Sequence, residues 1–106
     1  MDTTTETGER KGIYILRLYV TASSSKSVTA YNNLKKICEE HLQGRYSIEV
    51  IDLAKNAYIA KRDQIVALPT LIKFSPLPMK RIIGDLSDTE RVIRALELGK
   101  FELQSL

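Results

Sequence analysis

The sequence lacks the sulfur that redox chemistry or a disulfide framework would require. Its 106 residues contain one cysteine, Cys38, one histidine and no tryptophan. A dithiol redox pair or an internal disulfide needs two cysteine sulfurs within bonding distance, so a single cysteine excludes both. Cys38 and His41 lie three residues apart, but two ligands are too few for a zinc site. We therefore expect Cys38 to be a buried structural thiol, and we expect neither a metal nor a cofactor.

Long hydrophobic runs and a strong charge of one sign are also absent. No apolar run approaches the roughly 20 residues that cross a bilayer, and the first ten residues do not resemble an export signal. The net charge is +3, and hydrophobic and charged residues make up 43% and 27% of the chain. This composition is ordinary for a globular domain. It predicts a cytoplasmic protein with neither a nucleic-acid nor a membrane partner.

The pattern of apolar residues predicts one domain after a short leader. Residues 1–12 have no apolar periodicity, so we expect a flexible leader followed by a domain over residues 13–106. Predicted strands cover residues 13–20, 46–52, 70–74 and 79–83. A long helix is predicted before Gly44, a short one from Asn56 to about residue 65, and a final one after Ser87. The order β-α-β-α-β-β-α is typical of an α/β fold.

Local signals predict how these helices are built. In the long helix, three- and four-residue spacing predicts an apolar face of Val28, Tyr31, Leu34, Ile37, Cys38 and Leu42. Ser87 and Glu90 have the spacing of a capping box. The serine-rich turn at residues 23–26 suits a helix N-cap better than an anion site. The aspartates at element ends are expected to cap rather than to perform acid–base catalysis, and these are Asp52, Asp85 and Asp88.

The first part of the domain resembles the front half of a thioredoxin. Residues 68–71, Leu-Pro-Thr-Leu, lead into the third strand as they do around the cis-proline of thioredoxin-like folds. The resemblance implies a cis bond before Pro69. The turn after the first strand has Thr-Ala-Ser-Ser-Ser-Lys at residues 21–26, where a thioredoxin has Cys-x-x-Cys. A binding role is therefore favoured over a redox role.

Four segments resemble the KaiB family of circadian-clock proteins. They are Leu-Tyr-Val at residues 18–20, Glu-Val-Ile-Asp-Leu-Ala-Lys-Asn at 49–56, Ala-Leu-Pro-Thr-Leu at 67–71 and Arg-Ile-Ile-Gly-Asp-Leu-Ser-Asp at 81–88. The last segment is the most specific of the four. The similarity extends over about residues 14–98, and the departures noted below indicate a divergent copy of non-cyanobacterial type.

The resemblance implies a non-catalytic regulator that binds a partner. KaiB proteins bind the N-terminal ATPase ring of KaiC, a hexameric ATPase and autokinase, and modulate its cycle in circadian timing or, in divergent copies, in stress adaptation. A KaiA-like protein or a histidine kinase is a further implied partner. The short second helix and its entry are the region implied to contact a KaiC-like ring, and the candidate residues are Asn56, Tyr58, Ile59, Arg62, Asp63 and Gln64.

The resemblance also implies fold switching between a thioredoxin-like monomer and a homotetramer with a different C-terminal half. The candidate fold-state residues are Pro69, Pro76, Pro78, Ala95 and Glu97. The clock proteins often have Gly and Asp in place of Ala95 and Glu97. Alanine and glutamate are the better helix formers, which predicts a protein that favours the thioredoxin-like state. The resemblance leaves the oligomeric state open among monomer, dimer and tetramer.

Two alternatives to this function follow from the same residues. One is a thioredoxin-like redox protein that uses Cys38, although the position of Cys38 within a helix argues against it. The other is a stand-alone copy of a sensor-kinase input domain that competes for the same ring.

Overall fold

The computed structural model describes residues 13–21 and 23–98. The predicted leader, Ala22 in the turn after the first strand, and residues 99–106 of the predicted domain lie outside the described residues. The elements follow the predicted order and are β1 Tyr14–Val20, α1 Ser25–His41, β2 Tyr46–Asp52, α2 Ala57–Arg62, β3 Thr70–Ser75, β4 Lys80–Ile83 and α3 Thr89–Leu96.

The described strands form one mixed sheet in the order β2-β1-β3-β4. Strand β2 lies parallel to β1, whereas β3 is antiparallel to both β1 and β4. The parallel pair is joined by α1, which follows from the need for a crossover connection between parallel strands. The antiparallel β3–β4 pair needs only the short turn that holds Pro76 and Pro78.

One face of the sheet, called the closed face here, carries the main core. Alternate β1 residues such as Leu16 and Leu18 point to this face and pack against helices α1 and α3. Tyr14 is fully buried there, and its hydroxyl donates to the carbonyl of Leu96 at 3.0 Å. This bond ties the end of α3 to the start of β1. Burial also raises the pKa of Tyr14 to about 12, so the hydroxyl stays a donor at ordinary pH.

The inward side of α1 differs from the prediction in its first turns. Val28 and Tyr31 are 54% and 39% exposed, while Ser27 and Ala30 point inward. The second half of the predicted face is confirmed, because Leu34, Ile37, Cys38 and the C-cap residue Leu42 are buried. Small residues at 27 and 30 let the start of α1 approach the sheet closely. The spacing of hydrophobic residues therefore placed the inward side of α1 one residue too far toward the C terminus in its first turns.

The opposite face of the sheet, called the open face here, is covered less completely. Among the described helices, the short helix α2 packs on this face. Its Ile59 belongs to a cluster of five buried residues that also contains Tyr19, Leu53, Ile65 and Ile72. Its cover reaches the second half of β1 but not the first, where Ile15 is 41% exposed. Strand β1 is therefore covered on both faces over only part of its length.

The ends of the two short helices differ from the prediction. Helix α2 ends at Arg62, about three residues early, since Gln64 adopts a left-handed φ of 60° that a helix cannot continue through. Helix α3 is capped by Asp88, whose carboxylate accepts from the amide of Arg91 at 3.2 Å. The capping box of Ser87 and Glu90 was therefore a wrong prediction, by one residue.

The candidate fold-state residues comprise three prolines in loops or turns and two residues at the end of α3. The bonds before Pro69, Pro76 and Pro78 are all cis, which confirms the expectation for Pro69. Ala95 lies inside α3, where its helix propensity counts. Glu97 is the left-handed C-cap residue with φ of 63°, so the propensity argument does not apply to it.

Candidate functional site

Helix α2 presents most of its surface outward. Tyr58 is 68% exposed, whereas the adjacent Ile59 is buried and anchors the helix on the open face. Of the six predicted contact residues, Ile59 therefore has a packing role in the free protein. Arg62 on the helix and Gln64 just beyond its end are also exposed, and these two residues together with Tyr58 are called the outward surface of α2 here.

The start of α2 is held by a side-chain bond to the preceding turn rather than by a helix cap. Asn56 occupies the N-cap position, yet its side chain makes no bond to the helix amides. Its amide nitrogen instead donates to the carbonyl of Asp52 at 3.1 Å. The side chain of Asp52 accepts from the amide of Ala54 at 3.0 Å, which orders the turn before the helix. Asn56 thus fixes the approach to α2 rather than satisfying its first turn.

The end of α2 is held by a network of charged and polar side chains. The Asp63 carboxylate accepts from the Tyr19 hydroxyl at 2.7 Å and from Arg62 Nε at 2.8 Å. Arg17 lies 3.6 Å from the same carboxylate, and its Nε pairs with Glu49 at 3.0 Å. The hydrogen bonds from Arg62 and Tyr19 lower the pKa of Asp63 from 3.8 to about 2, so it remains ionised at physiological pH.

Strand β4 also contacts this helix end. Arg81 donates to the backbone carbonyls of Gln64 at 3.0 Å and Asp63 at 3.3 Å. Asp63 is the C-cap residue of α2 and Gln64 follows it, so Arg81 binds the main chain just past the last turn of the helix. The end of α2 is therefore fixed by both its main chain and its Asp63 side chain.

A cavity of about 190 Å³ lies beside this network on the open face. Its lining residues are Arg17, Tyr19, Asp63, Ile72, Phe74, Met79 and Arg81. The guanidinium of Arg17 lies 4.8 Å from the centre of the Phe74 ring, a cation–π contact. The site therefore combines a helix that exposes Tyr58 with a cavity that charged side chains line. It brings together no nucleophile and base of the kind that covalent catalysis uses.

Comparison with known proteins assigns the chain to a family. The sequence model of the KaiB domain matches residues 17–98. The circadian clock oscillator protein KaiB of Synechococcus elongatus is 52% identical over 91 residues, covering 86% of this chain and 89% of that protein. The chain belongs to the KaiB family. The KaiB of Microcystis aeruginosa is similarly related, at 49% over 88 residues, 83% of this chain and 85% of its own.

Solved structures confirm that this KaiB-family chain has a thioredoxin-like fold. Chloroplastic thioredoxin z superposes with a TM-score of 0.68 at 18% identity, over 96% of this chain and 88% of its own. The N-terminal domain of Synechococcus elongatus SasA gives 0.67 at 23% identity, over 88% and 86%. The family match names a clock protein and no enzyme family, so the comparisons support a clock-regulator role.

The redox alternative for this KaiB-family chain fails at Cys38. Its side chain is completely buried against the sheet, and burial raises the pKa of the thiol to about 12. Since the thiolate is the nucleophile, this cysteine is inert in the folded protein at ordinary pH. Across residues 13–21 and 23–98, His, Cys, Asp and Glu side chains nowhere group in threes as a metal site would need. No helix in those ranges is long and apolar enough to cross a membrane.

The other polar residues singled out in the sequence have local roles. Ser24 caps α1 by accepting from the amide of Ser27 at 3.3 Å, as the serine-rich turn predicts. Asp85 accepts from the amide of Ser87 at 3.0 Å, while Asp52 and Asp88 bond to nearby amides as described above. The capping expectation is confirmed for Asp88, whereas Asp52 and Asp85 order turns rather than cap a helix.

The residues that sequence reasoning missed come from distant segments. Arg17, Tyr19 and Arg81 all contact the end of α2, although 17 to 46 residues separate them from Asp63 and Gln64 in the chain. One signal was present, because Arg17 interrupts an otherwise apolar strand and a buried charge needs a partner. Val66, 91% exposed just after α2, was also missed.

Proposed function

We propose that this protein docks on the N-terminal ATPase ring of a KaiC-like hexamer through the outward surface of α2 and modulates the ring's phosphorylation or ATPase cycle. The family assignment supports the choice of partner. The observation that carries the choice of surface is Tyr58, a large aromatic side chain 68% exposed on an anchored helix. Tyrosine, tryptophan and arginine are the residues that most often dominate binding energy at protein interfaces.

The mechanism is capture of one conformation of the ring. A protein without a catalytic centre can alter a partner's cycle only by binding one of its states more tightly than the others. Docking then raises the population of the state that is bound. A KaiA-like protein or a histidine kinase would act on the same assembly, either by joining it or by competing for the ring.

The test is size-exclusion chromatography with light scattering on the protein alone and mixed with the KaiC-like ATPase from the same genome and ATP. We expect a complex, and the protein alone will report whether it is a monomer, dimer or tetramer. Rapid formation would indicate that the described fold already binds, since a rare binding fold would delay the complex. Absence of a complex with every nucleotide tried would overturn the proposal.

Replacement of Tyr58 tests the surface itself. Tyr58→Ala should weaken the complex at least about tenfold, the effect of removing an interface anchor. Tyr31→Ala is the matched control, because Tyr31 is also exposed on a helix but lies on the other side of the sheet. Equal affinity for the Tyr58 variant and the parent would place the docking surface elsewhere. A complex with a histidine kinase instead of the ring would favour the sensor-kinase alternative.

A further inference from the structure

Helix α2 cannot hold its shape alone. It has six residues, and Ile59 is the one buried residue on it. Isolated helices shorter than about 12 residues are marginal in water because their first turn is costly to form. The orientation of Tyr58 therefore depends on contacts that α2 makes with the sheet.

The decisive contacts are at the end of the helix and come from β1 and β4. The Tyr19 hydroxyl donates to the Asp63 carboxylate at 2.7 Å, and Tyr19 itself is fully buried. Arg81, from β4, donates to the carbonyls of Asp63 and Gln64. A buried side chain cannot touch a docked partner, so any effect of Tyr19 on binding has to pass through α2.

We propose that Tyr19 and Arg81 are positioning residues, which hold the end of α2 so that its outward surface is ready to bind. Asp63 is the residue that both contacts share, since its carboxylate accepts from Tyr19 and its carbonyl accepts from Arg81. These contacts at Asp63 are called the latch here. The role in binding rests on the function proposed above, whereas the effect on α2 itself does not. Affinity falls by the fraction of molecules in which α2 is released, since only the ordered helix presents the binding surface.

Hydrogen exchange measured by NMR tests the latch without any partner. The amides of Asp63 and Ile65 report on the helix end, since they donate to the carbonyls of Ile59 and Ala60 at 2.8 Å. Tyr19→Phe removes one hydroxyl and leaves the ring in place. We expect exchange at these two amides to accelerate about tenfold or more, as loss of a bond to a charged acceptor implies. Amides of Leu18 and Leu34 on the closed face should keep their exchange rates.

Tyr46→Phe is the matched control. The Tyr46 hydroxyl bonds to Glu39 between β2 and α1, away from α2. Its removal should leave exchange at Asp63 and Ile65 unchanged. Arg81→Met removes the second contact while keeping an aliphatic chain, and the double variant with Tyr19→Phe should open α2 further than either change alone.

Binding to the KaiC-like ring then tests the positioning role. Across these variants, the dissociation constant should rise by the factor by which the ordered fraction of α2 falls. Unchanged exchange in both Tyr19→Phe and Arg81→Met would overturn the latch, whatever the ring does. If the ordered fraction of α2 falls in the double variant and the dissociation constant does not rise by the same factor, the positioning role is overturned. If the parent protein fails to bind the ring, only the proposed function falls, and exchange still decides the latch.

Discussion

The closed and open faces of the sheet are held together by different kinds of contact. Among the described residues, fifteen buried side chains form the closed-face cluster and five form the open-face cluster. The open face adds an ionic network with Arg17, Asp63 and Glu49 at its centre. The closed face is mainly apolar and buries one charged residue, Lys73, against the Tyr14 ring. The difference indicates that the closed face supplies stability, whereas the open face sets the position of one exposed helix.

Truncation of core residues on each face is the strongest test of this difference. Leu34→Ala should lower the free energy of unfolding by about 3 kcal/mol, because it leaves a cavity under a long helix. Ile59→Ala should cost about 2 kcal/mol, the low end of the range, because α2 can settle into the space. Urea unfolding followed by circular dichroism measures both. Equal losses would show that α2 is as firmly packed as α1.

A glycine in α3 tests the closed face and the preferred fold together. Ala95→Gly should lower the free energy of unfolding by about 1 kcal/mol, the difference in helix propensity inside a helix. If Ala95 favours the described thioredoxin-like state, the variant should also form its complex with the ring more slowly. Ala54→Gly, in the exposed turn after β2, is the control and should change neither. NMR signals of extended structure over residues 89–98 in the parent would contradict the hypothesis about Ala95.

Acid should loosen the open face before the closed face. The pKa of Asp63 is lowered to about 2 in the folded protein, chiefly by Arg62 and Tyr19, so its unfolded value is the higher one. The ionised latch therefore stabilises α2 fully above about pH 4 and is lost as pH falls toward 2. NMR chemical shifts of α2 between pH 5 and pH 2 will follow the change. In Asp63→Asn this step should vanish, and a step that persists there would assign the titration to another group.

The sequence predicted the fold more completely than the candidate site. Strand β2 was predicted at its observed bounds, and the element order was confirmed, because these features follow from local periodicity and turns. Val28 and Tyr31 were misplaced because residue type does not reveal which turn of a helix approaches the sheet most closely. The contacts of Tyr19 and Arg81 with Asp63 could not be predicted from spacing, since they depend on which strands become neighbours.

Arg81 links the proposed binding helix to the hairpin of β3 and β4. It belongs to β4, yet it holds two carbonyls at the end of α2, so displacing the hairpin requires these bonds to break. Coupling between two equilibria is reciprocal in free energy. A partner that binds α2 in its described position would therefore also disfavour the release of β4, at a distance from its own footprint. Under the proposed function, occupation of α2 would thus also oppose a rearrangement of the C-terminal half.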